Sequence, residues 1–469
     1  MTAAHFEKNL ILLSDGYKPS HWKQYEPGTE RVYSYFESRR DDDTPVVFFG
    51  LHYYLMRYLE GVRVTEAQIA EAEAFFADYF GRPDVFNAEG WRYIVREHGG
   101  KLPVEIRAVP EGSRIPSRHV LMTVENTDPA CYWLTNYLET LLSMVWYPCT
   151  IASNSAGIRD DVAGFFAATS ESSFIDFQVH DFGFRGSTSL EASALGAAAH
   201  LLAFQGTDTL SGIRLLQQYY GAAMPGASIP ATEHSTITSW GADRELDAFR
   251  HYLQQFPSGV IACVSDSFDI LRAVRDYWGR DLKDEVLARD GTLVVRPDSG
   301  DPVVTTRKLV AALWDAFGGS VNGKGYRVLD PHIRLIQGDG IDRAMVSTIL
   351  QAFQDDGYSA ENIAFGSGGG LLQRFDRDTY KFAFKAAEVT VNGQPRDVYK
   401  SPMAFGADGA YRPSFKHSKR GRLALVKDGD TYNTVEGPHA DDLLQPVFRN
   451  GEVLVTPTLD GIRDRLRNT

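Results

Sequence analysis

Glu233 and His234 stand within the run Ala227-Ser-Ile-Pro-Ala-Thr-Glu-His-Ser-Thr-Ile-Thr238. An imidazole changes charge near neutral pH and can carry a proton or a phosphoryl group, and an acid beside it can fix its tautomer or orientation. The run reads as a short buried segment that stops at Pro230 and delivers the pair to the start of a helix. A capping or core histidine is the structural alternative. Four carboxylates, Asp208, Asp266, Asp298 and Asp339, follow four other apolar runs. Each read singly is an N-cap for the next helix. Together, beside arginines and glycines, they suit Mg²⁺ and ribose hydroxyls, since hard cations and vicinal diols both seek carboxylate oxygen. Gly338, Gly340 and the Gly366-Ser-Gly-Gly-Gly370 string let backbone amides approach an anion closely. No Walker sequence is present, and no Gly-x-Gly-x-x-Gly opens a Rossmann unit. Arg377, Lys381, Lys385 and the basic run Arg412 to Arg422 read either as solvated loops or as cations for a sugar phosphate.

The elements that must position these groups follow from the apolar rhythm. Short runs begin near Phe177, Leu201, Ser228, Val260, Leu293, Ile333 and Ile363, with helix-like segments Ser187 to His200, Glu233 to Phe256 and Pro302 to Phe317 between them. Strands separated by helices pair in parallel, and such a series curls toward a (β/α) barrel whose strand C-termini form the active face. The clusters after the runs, such as Val179-His-Asp-Phe-Gly-Phe-Arg-Gly186 and Val295-Arg-Pro-Asp-Ser-Gly300, therefore converge on one pocket. This predicts an α/β fold with an irregular barrel over residues 171–385. Residues 1–170 read as a mixed α+β region: a strand in Glu30 to Arg40, helices in 51–80 and 129–168, and two strands in 101–125 parted by Pro110 to Arg114.

The chain has 469 residues, enough for two domains, and 43% of them are hydrophobic. A net charge of −13 argues against broad nucleic-acid or anionic-membrane binding, so an anionic ligand must meet locally clustered cations. Cys131, Cys149 and Cys263 have no paired spacing for zinc or disulfides, which fits a reducing cytoplasm. Leu10 to Leu13 is too short for a signal-peptide core, and no apolar stretch of about 20 residues offers a membrane span.

Longer strings carry more. Leu12-Leu-Ser-Asp-Gly-Tyr-Lys18, Val32-Tyr-Ser-Tyr-Phe-Glu37, His180 to Gly186, Pro230 to Thr236, Arg296 to Gly300, Gln337 to Gly340 and Phe365 to Leu372 stand in an order that resembles the nicotinamide phosphoribosyltransferase family over nearly the whole chain. The resemblance implies a homodimer with shared active sites, in which the barrel packs on a mostly β domain built from both chain ends, so that 386–469 completes 1–170. It implies formation of nicotinamide mononucleotide and pyrophosphate from nicotinamide and 5-phosphoribosyl 1-pyrophosphate, in NAD biosynthesis. Residue by residue, Phe182 and the partner subunit's Tyr17 would stack the pyridine ring, Arg185 would lie beside it, and Asp208 would accept the carboxamide N–H, with Ser228 a lesser pocket residue. Asp298, Gly338 and Asp339 would meet the ribose. Gly368, Gly369 and the partner subunit's Arg377 would hold the 5′-phosphate. Arg39, Lys385 and Lys400 would hold pyrophosphate, with Asp266 near Mg²⁺ and Arg296 on the anionic groups. His234, preceded by Glu233, would take a phosphoryl group from ATP and couple its hydrolysis to synthesis. The sequence departs from the family at Gly16 (often serine), at Phe184 (usually tyrosine), in the short loop Arg40 to Val46, and in a longer connection Met403 to Ser414. Nicotinate phosphoribosyltransferase is the neighbouring alternative. A sugar-phosphate aldolase or isomerase barrel is another enzyme class, whose Schiff-base version needs a strand-end lysine that the clusters before Lys385 do not offer. A non-catalytic metabolite-binding protein on the same scaffold is the reading outside enzymes.

Overall fold

The computed structural model describes residues 8–405, 408–413 and 418–468; Lys416 of the basic run and Ser414 lie outside the described residues. The chain divides into two compact units, 1–150 with 376–469, and 151–375. These divisions differ from breaks at 170/171 and 385/386 for two reasons. At the first, helix Trp146–Thr169 goes with the 151–375 unit from Ile151 onward, so the division falls before residue 170. At the second, strand Phe382–Val391 pairs along its length with Thr29–Ser38, so the residues before 386 go with the chain ends.

The 151–375 unit is built on a six-stranded sheet in the order Gly206–Thr207, Val179–Asp181, Ile363–Ser367, Ile333–Gln337, Leu293–Arg296, Ile261–Val264. Every pairing is parallel. The strands are almost wholly buried, as apolar runs covered on both faces must be. Both edge strands reach the 227–231 segment, Gly206 through a parallel bridge to Ala227 and Ala262 through one to Ala231. Ala262, Val294 and Ile336 pack together with Phe182, Ile229 and Ala364.

Three expectations are corrected here. Leu201 to Phe204 is a buried turn, not a strand: its amides bond back to carbonyls of helix Leu190–His200, and the strand is only Gly206–Thr207. Leucine and alanine extend a helix end more readily than they start a strand. The 227–231 segment is not buried; Ser228, Pro230 and Ala231 are exposed, and Pro230, with no N–H, gives only its carbonyl, to Ala262 N at 2.9 Å. The helix expected over Glu233 to Phe256 is two, His234–Thr238 and Glu245–Gln255, parted at Gly241 with φ 86°.

The end-built unit holds a seven-stranded antiparallel sheet in the order Gln394–Asp397, Phe382–Val391, Thr29–Ser38, Val120–Asn126, Val104–Ala108, Gln445–Arg449, Glu452–Val453. Residues 32–38 are buried without alternation because that central strand is covered on both faces. The separator expected at Pro110 to Arg114 carries the start of a short strand, Arg114–Pro116. No helix among the described residues is long and apolar enough to cross a membrane.

Candidate active site

The loops that leave the parallel strands divide their acids between two tasks. After Ile261–Val264, Leu293–Arg296 and Ile333–Gln337, the residues that cap the next helices are Asp269, Asp301 and Asp342, whose carboxylates accept the amides of Arg272, Val304 and Met345. Asp266, Asp298 and Asp339 sit three residues earlier in each loop and are left for other work. The capping alternative therefore falls at these three positions.

His234 heads its short helix, and its ring is held by Asp266 rather than Glu233. Nε2 stands 2.9 Å from Asp266 Oδ1, and Nδ1 faces Asp298 Oδ2 at 3.9 Å. A carboxylate only accepts, so in the neutral ring Nε2 carries the proton and Nδ1 the lone pair. Glu233 is extended at the N-cap and its carboxylate accepts the Ser235 hydroxyl, because adjacent residues at a helix start point apart. The other Asp266 oxygen takes the Asp298 amide at 2.9 Å and the Ser299 hydroxyl at 2.5 Å. Burial pushes the Asp266 carboxyl up, but bonds from Ser299, His234 and the Asp298 amide outweigh it and hold the group below the usual carboxylate range.

A cavity of about 580 Å³ opens over the strand ends, lined by Phe182, Arg185, Asp208, Glu233, Arg296, Asp298, Gly338, Asp339, Gly368 and Gly369. Phe182 forms an apolar wall. Its ring lies where a side chain on Gly366 would be, a Cβ there falling 2.0 Å from the ring, and the Arg296 guanidinium sits 5.5 Å from its centroid. Gly366 thus serves the aromatic wall, while Gly370 lies against the Ile341 carbonyl, 2.2 Å from an added Cβ. Only part of the glycine string is free to face an anion. Arg296 donates from Nη2 to Asp298 Oδ1 at 2.8 Å, and its buried Nε has no acceptor among the described residues. A buried donor left open at a cavity wall awaits an acceptor. Asp208 accepts the Ser228 hydroxyl. Phe184, Gly340, Ile341, Gly370 and Arg374 also line the cavity. Arg374 was missed in the sequence; its signal was its place directly after the Leu371-Leu-Gln373 end of the glycine string.

Relatives of this arrangement are known. The family model for the nicotinate phosphoribosyltransferase (NAPRTase) family matches residues 177–452, and that for the nicotinamide phosphoribosyltransferase N-terminal domain matches 9–106. A protein of Xanthomonas campestris pv. campestris named nicotinamide phosphoribosyltransferase is 47% identical, covering 98% of each chain. The chain belongs to the nicotinamide phosphoribosyltransferase family. A namesake from Acinetobacter baylyi is 33% identical over 98% of this chain and 97% of its own. In fold the chain is similar to nicotinate-nucleotide pyrophosphorylase from Pyrococcus furiosus, with TM-score 0.60 and 16% identity over 100% of this chain and 97% of the other. It is also similar to human nicotinic acid phosphoribosyltransferase, with TM-score 0.54 and 18% identity over 97% and 93%. It is accordingly a phosphoribosyltransferase, a pentosyltransferase by reaction class.

The remaining family positions lie in the end-built unit. Arg377 and Lys385 share a recess of about 80 Å³ with Phe36, Glu139 and Phe382. Arg39 pairs with Glu37 at 3.4 Å. Tyr17 is 59% exposed with its ring edge-on to His21, and Lys400 is exposed. The described cations of the basic run are largely ion-paired within this unit, as its solvated-loop alternative requires. Lys419 pairs with Glu37, Arg420 with Glu436 at 3.4 Å, and Arg422 with Glu125 at 3.0 Å. Lys381 likewise pairs with Asp41 at 2.7 Å. A Cβ at Gly16 would fall 2.3 Å from the hydroxyl of the exposed Tyr79, so the family's serine there requires that ring to swing aside. For a hard divalent cation the catalytic unit offers Asp339 and the Oδ2 of Asp298, a donor set that fits Mg²⁺ sharing its shell with phosphate oxygens. Asp266 Oδ2 already accepts two hydrogen bonds, so a cation meets that residue at Oδ1, which accepts only from His234 and keeps a second lone pair.

Proposed function

We propose that this chain transfers the phosphoribosyl group of 5-phosphoribosyl 1-pyrophosphate to nicotinamide, forming nicotinamide mononucleotide and pyrophosphate for NAD biosynthesis. The observation that carries this reading is one cavity in which Phe182 and Asp208 stand with Arg296, Asp298, Asp339 and the Gly368–Gly369 backbone. A flat amide-bearing base and a phosphorylated sugar need that combination. Displacement at the anomeric carbon passes through an oxocarbenium-like state. The protein's task is to hold the pyridine nitrogen behind the ribose and to neutralise the departing pyrophosphate. The nitrogen brings its own lone pair, so no general base is required. Stacking of the base contributes on the order of 1–3 kcal/mol.

In this reading Asp298 and Asp339 would hold Mg²⁺, with Asp266 near it, and the ion would supply charge to offset that developing on pyrophosphate. Gly338 meets the ribose, and Gly368 and Gly369 the 5′-phosphate. Arg185 flanks the base, and Ser228 supports Asp208. ATP phosphorylates His234, and Asp266 orients its ring. The enzyme works as a cytoplasmic homodimer, the partner subunit's Tyr17 closing over the base and the partner subunit's Arg377 reaching the phosphate, with Arg39, Lys385 and Lys400 on pyrophosphate. The parallel strands form an irregular barrel closed through the 227–231 segment, and the two chain ends supply the second, mostly β domain. Free, buried Cys131, Cys149 and Cys263 support a reducing compartment.

The test is incubation with 5-phosphoribosyl 1-pyrophosphate, Mg²⁺ and either nicotinamide or nicotinate, with and without ATP. Mononucleotide from nicotinamide, raised by ATP together with acid-labile phosphate on His234, is the expected result. Preference for nicotinate moves the chain to the neighbouring specificity, and no product from either base overturns the reading.

A further inference from the structure

The Ala88–His98 helix of the end-built unit ends in a group that the transfer reaction does not use. Gly99, at φ 59°, stops the helix in the left-handed conformation open to glycine and leaves His98 at its last turn. Asp128 is the N-cap of the turn Pro129–Cys131, its Oδ1 accepting the Ala130 amide at 2.8 Å. That turn brings Cys131 beside it. His98 Nε2 lies 2.8 Å from Asp128 Oδ2, and the Tyr93 hydroxyl donates to the same oxygen at 3.1 Å. One ligand atom each from His98, Asp128 and Cys131 falls within 4.8 Å of the others, the one such group among the described residues.

We propose that His98, Asp128 and Cys131 form a binding site for a thiophilic divalent cation, Zn²⁺ above all, which clasps the end of the Ala88–His98 helix to the turn before Leu134–Tyr137. Neighbouring ligands of a tetrahedral zinc stand roughly 3.3–3.8 Å apart, as bond lengths of about 2.0–2.3 Å require. The observed spread brackets that range, so shifts of about 1 Å complete the shell. The donor set decides the ion. One imidazole nitrogen, one carboxylate oxygen and one sulfur suit Zn²⁺ and its borderline neighbours, whereas Mg²⁺ and Ca²⁺ take oxygen alone. Access is one-sided. Cys131 is fully buried, while His98 and Asp128 keep partial exposure through which an ion and one water ligand enter. Binding replaces the S–H bond of Cys131 by a sulfur–metal bond and releases that proton to the buffer. It also replaces the His98–Asp128 hydrogen bond by two bonds to the ion, the neutral ring giving up its Nε2 proton to solvent and taking one at Nδ1 instead. The spacing hides this site in the sequence: Asp128 and Cys131 are neighbours on one turn, but their histidine lies on a separate helix.

The experiment uses the full chain, free of tags and stripped with a chelator, titrated with Co²⁺ and then Zn²⁺ in excess Mg²⁺. The expected result is one sulfur-bound cobalt per chain, read as near-ultraviolet sulfur-to-cobalt charge-transfer absorption, displaced by one equivalent of Zn²⁺. Cobalt held only by the carboxylates of the catalytic unit gives no such band. Cys131→Ser abolishes the band, His98→Asn weakens binding at least about ten-fold, and Cys263→Ser leaves it intact. A wild-type protein without the band overturns the proposal, and no variant needs to fold for that result. So does a band that survives in Cys131→Ser. Zn²⁺ also raises the melting temperature of the wild type at micromolar concentration, as a ligand of the folded state must; no rise counts against the site.

Discussion

His234 Nε2 donates to Asp266 Oδ1 across 2.9 Å, and the same carboxylate is tied from behind by the Ser299 hydroxyl and the Asp298 amide. The ring is thus presented with Nδ1 outward, toward Asp298. If the phosphoryl group of ATP goes to that nitrogen, the negative partner at Nε2 both orients the ring and stabilises the charge it gains. Asp266→Asn keeps the shape and removes the charge. Acid-labile phosphate on His234 is expected to fall on the order of a hundred-fold, with ATP-independent mononucleotide formation reduced far less. Labelling from radioactive ATP and a parallel product assay check this. Equal labelling of variant and wild type would mean that Asp266 plays no part in the step.

The Phe182 wall rests on an absence at Gly366. A methyl group there would lie 2.0 Å from Phe182 Cε2, so Gly366→Ala must move the ring off its seat. The KM for nicotinamide is expected to rise about ten-fold, within the 1–3 kcal/mol that stacking is worth, while the KM for 5-phosphoribosyl 1-pyrophosphate changes little. Steady-state kinetics with each substrate varied in turn separates the two. Equal rises in both constants would point to general distortion instead.

These residues also mark what the sequence made legible. Apolar runs bounded by polar clusters suffice to find the parallel strands at 261–264, 293–296, 333–337 and 363–367, because strands buried on both faces are uniformly apolar. The same signal fails at Leu201 to Phe204, where a helix continues into a buried turn, and at 227–231, where single bridges replace a ladder. Of the site, Asp266 and Asp298 were visible as strand-end acids, but their roles were not. Which of two acids three residues apart caps the helix, and whether Glu233 or Asp266 holds His234, depend on side-chain direction, and spacing does not carry that. Gly366 is legible as flexible, and only the placement of Phe182 makes it a packing residue. Pairing of Lys419, Arg420 and Arg422 with distant acids is likewise invisible in a local basic run.

Asp208 sits at the cavity with Ser228 donating to it. A carboxylate there favours an amide donor and disfavours a second carboxylate, and like charges brought together cost several kcal/mol. Asp208→Asn is expected to lower the preference for nicotinamide over nicotinate by at least about ten-fold, mostly through gained activity on nicotinate. Ratios of kcat/KM for the two bases measure it. Unchanged selectivity would remove Asp208 as the discriminating group.

His200 supplies a pH-dependent term in stability, away from the cavity. The ring is wholly buried at the end of its helix, Nε2 donating to the Val179 carbonyl at 3.1 Å and Nδ1 accepting from the Ser155 hydroxyl at 3.0 Å. Burial lowers its pKa from the ordinary 6.5 to about 4. The unfolded chain therefore takes up a proton that the folded chain refuses in this interval. Its contribution is complete above about pH 6.5 and is lost as pH falls toward about 4, a decline of roughly 3 kcal/mol. His200→Gln keeps hydrogen-bonding capacity without the titration. Its stability at neutral pH is expected to drop by about 1–3 kcal/mol for imperfect packing and bonding. Between about pH 7 and about pH 5, the loss of stability is expected to be smaller than in the wild type. Urea midpoints at the two pH values give the comparison, and a variant that loses as much stability on acidification as the wild type would show that other groups govern the acid limb.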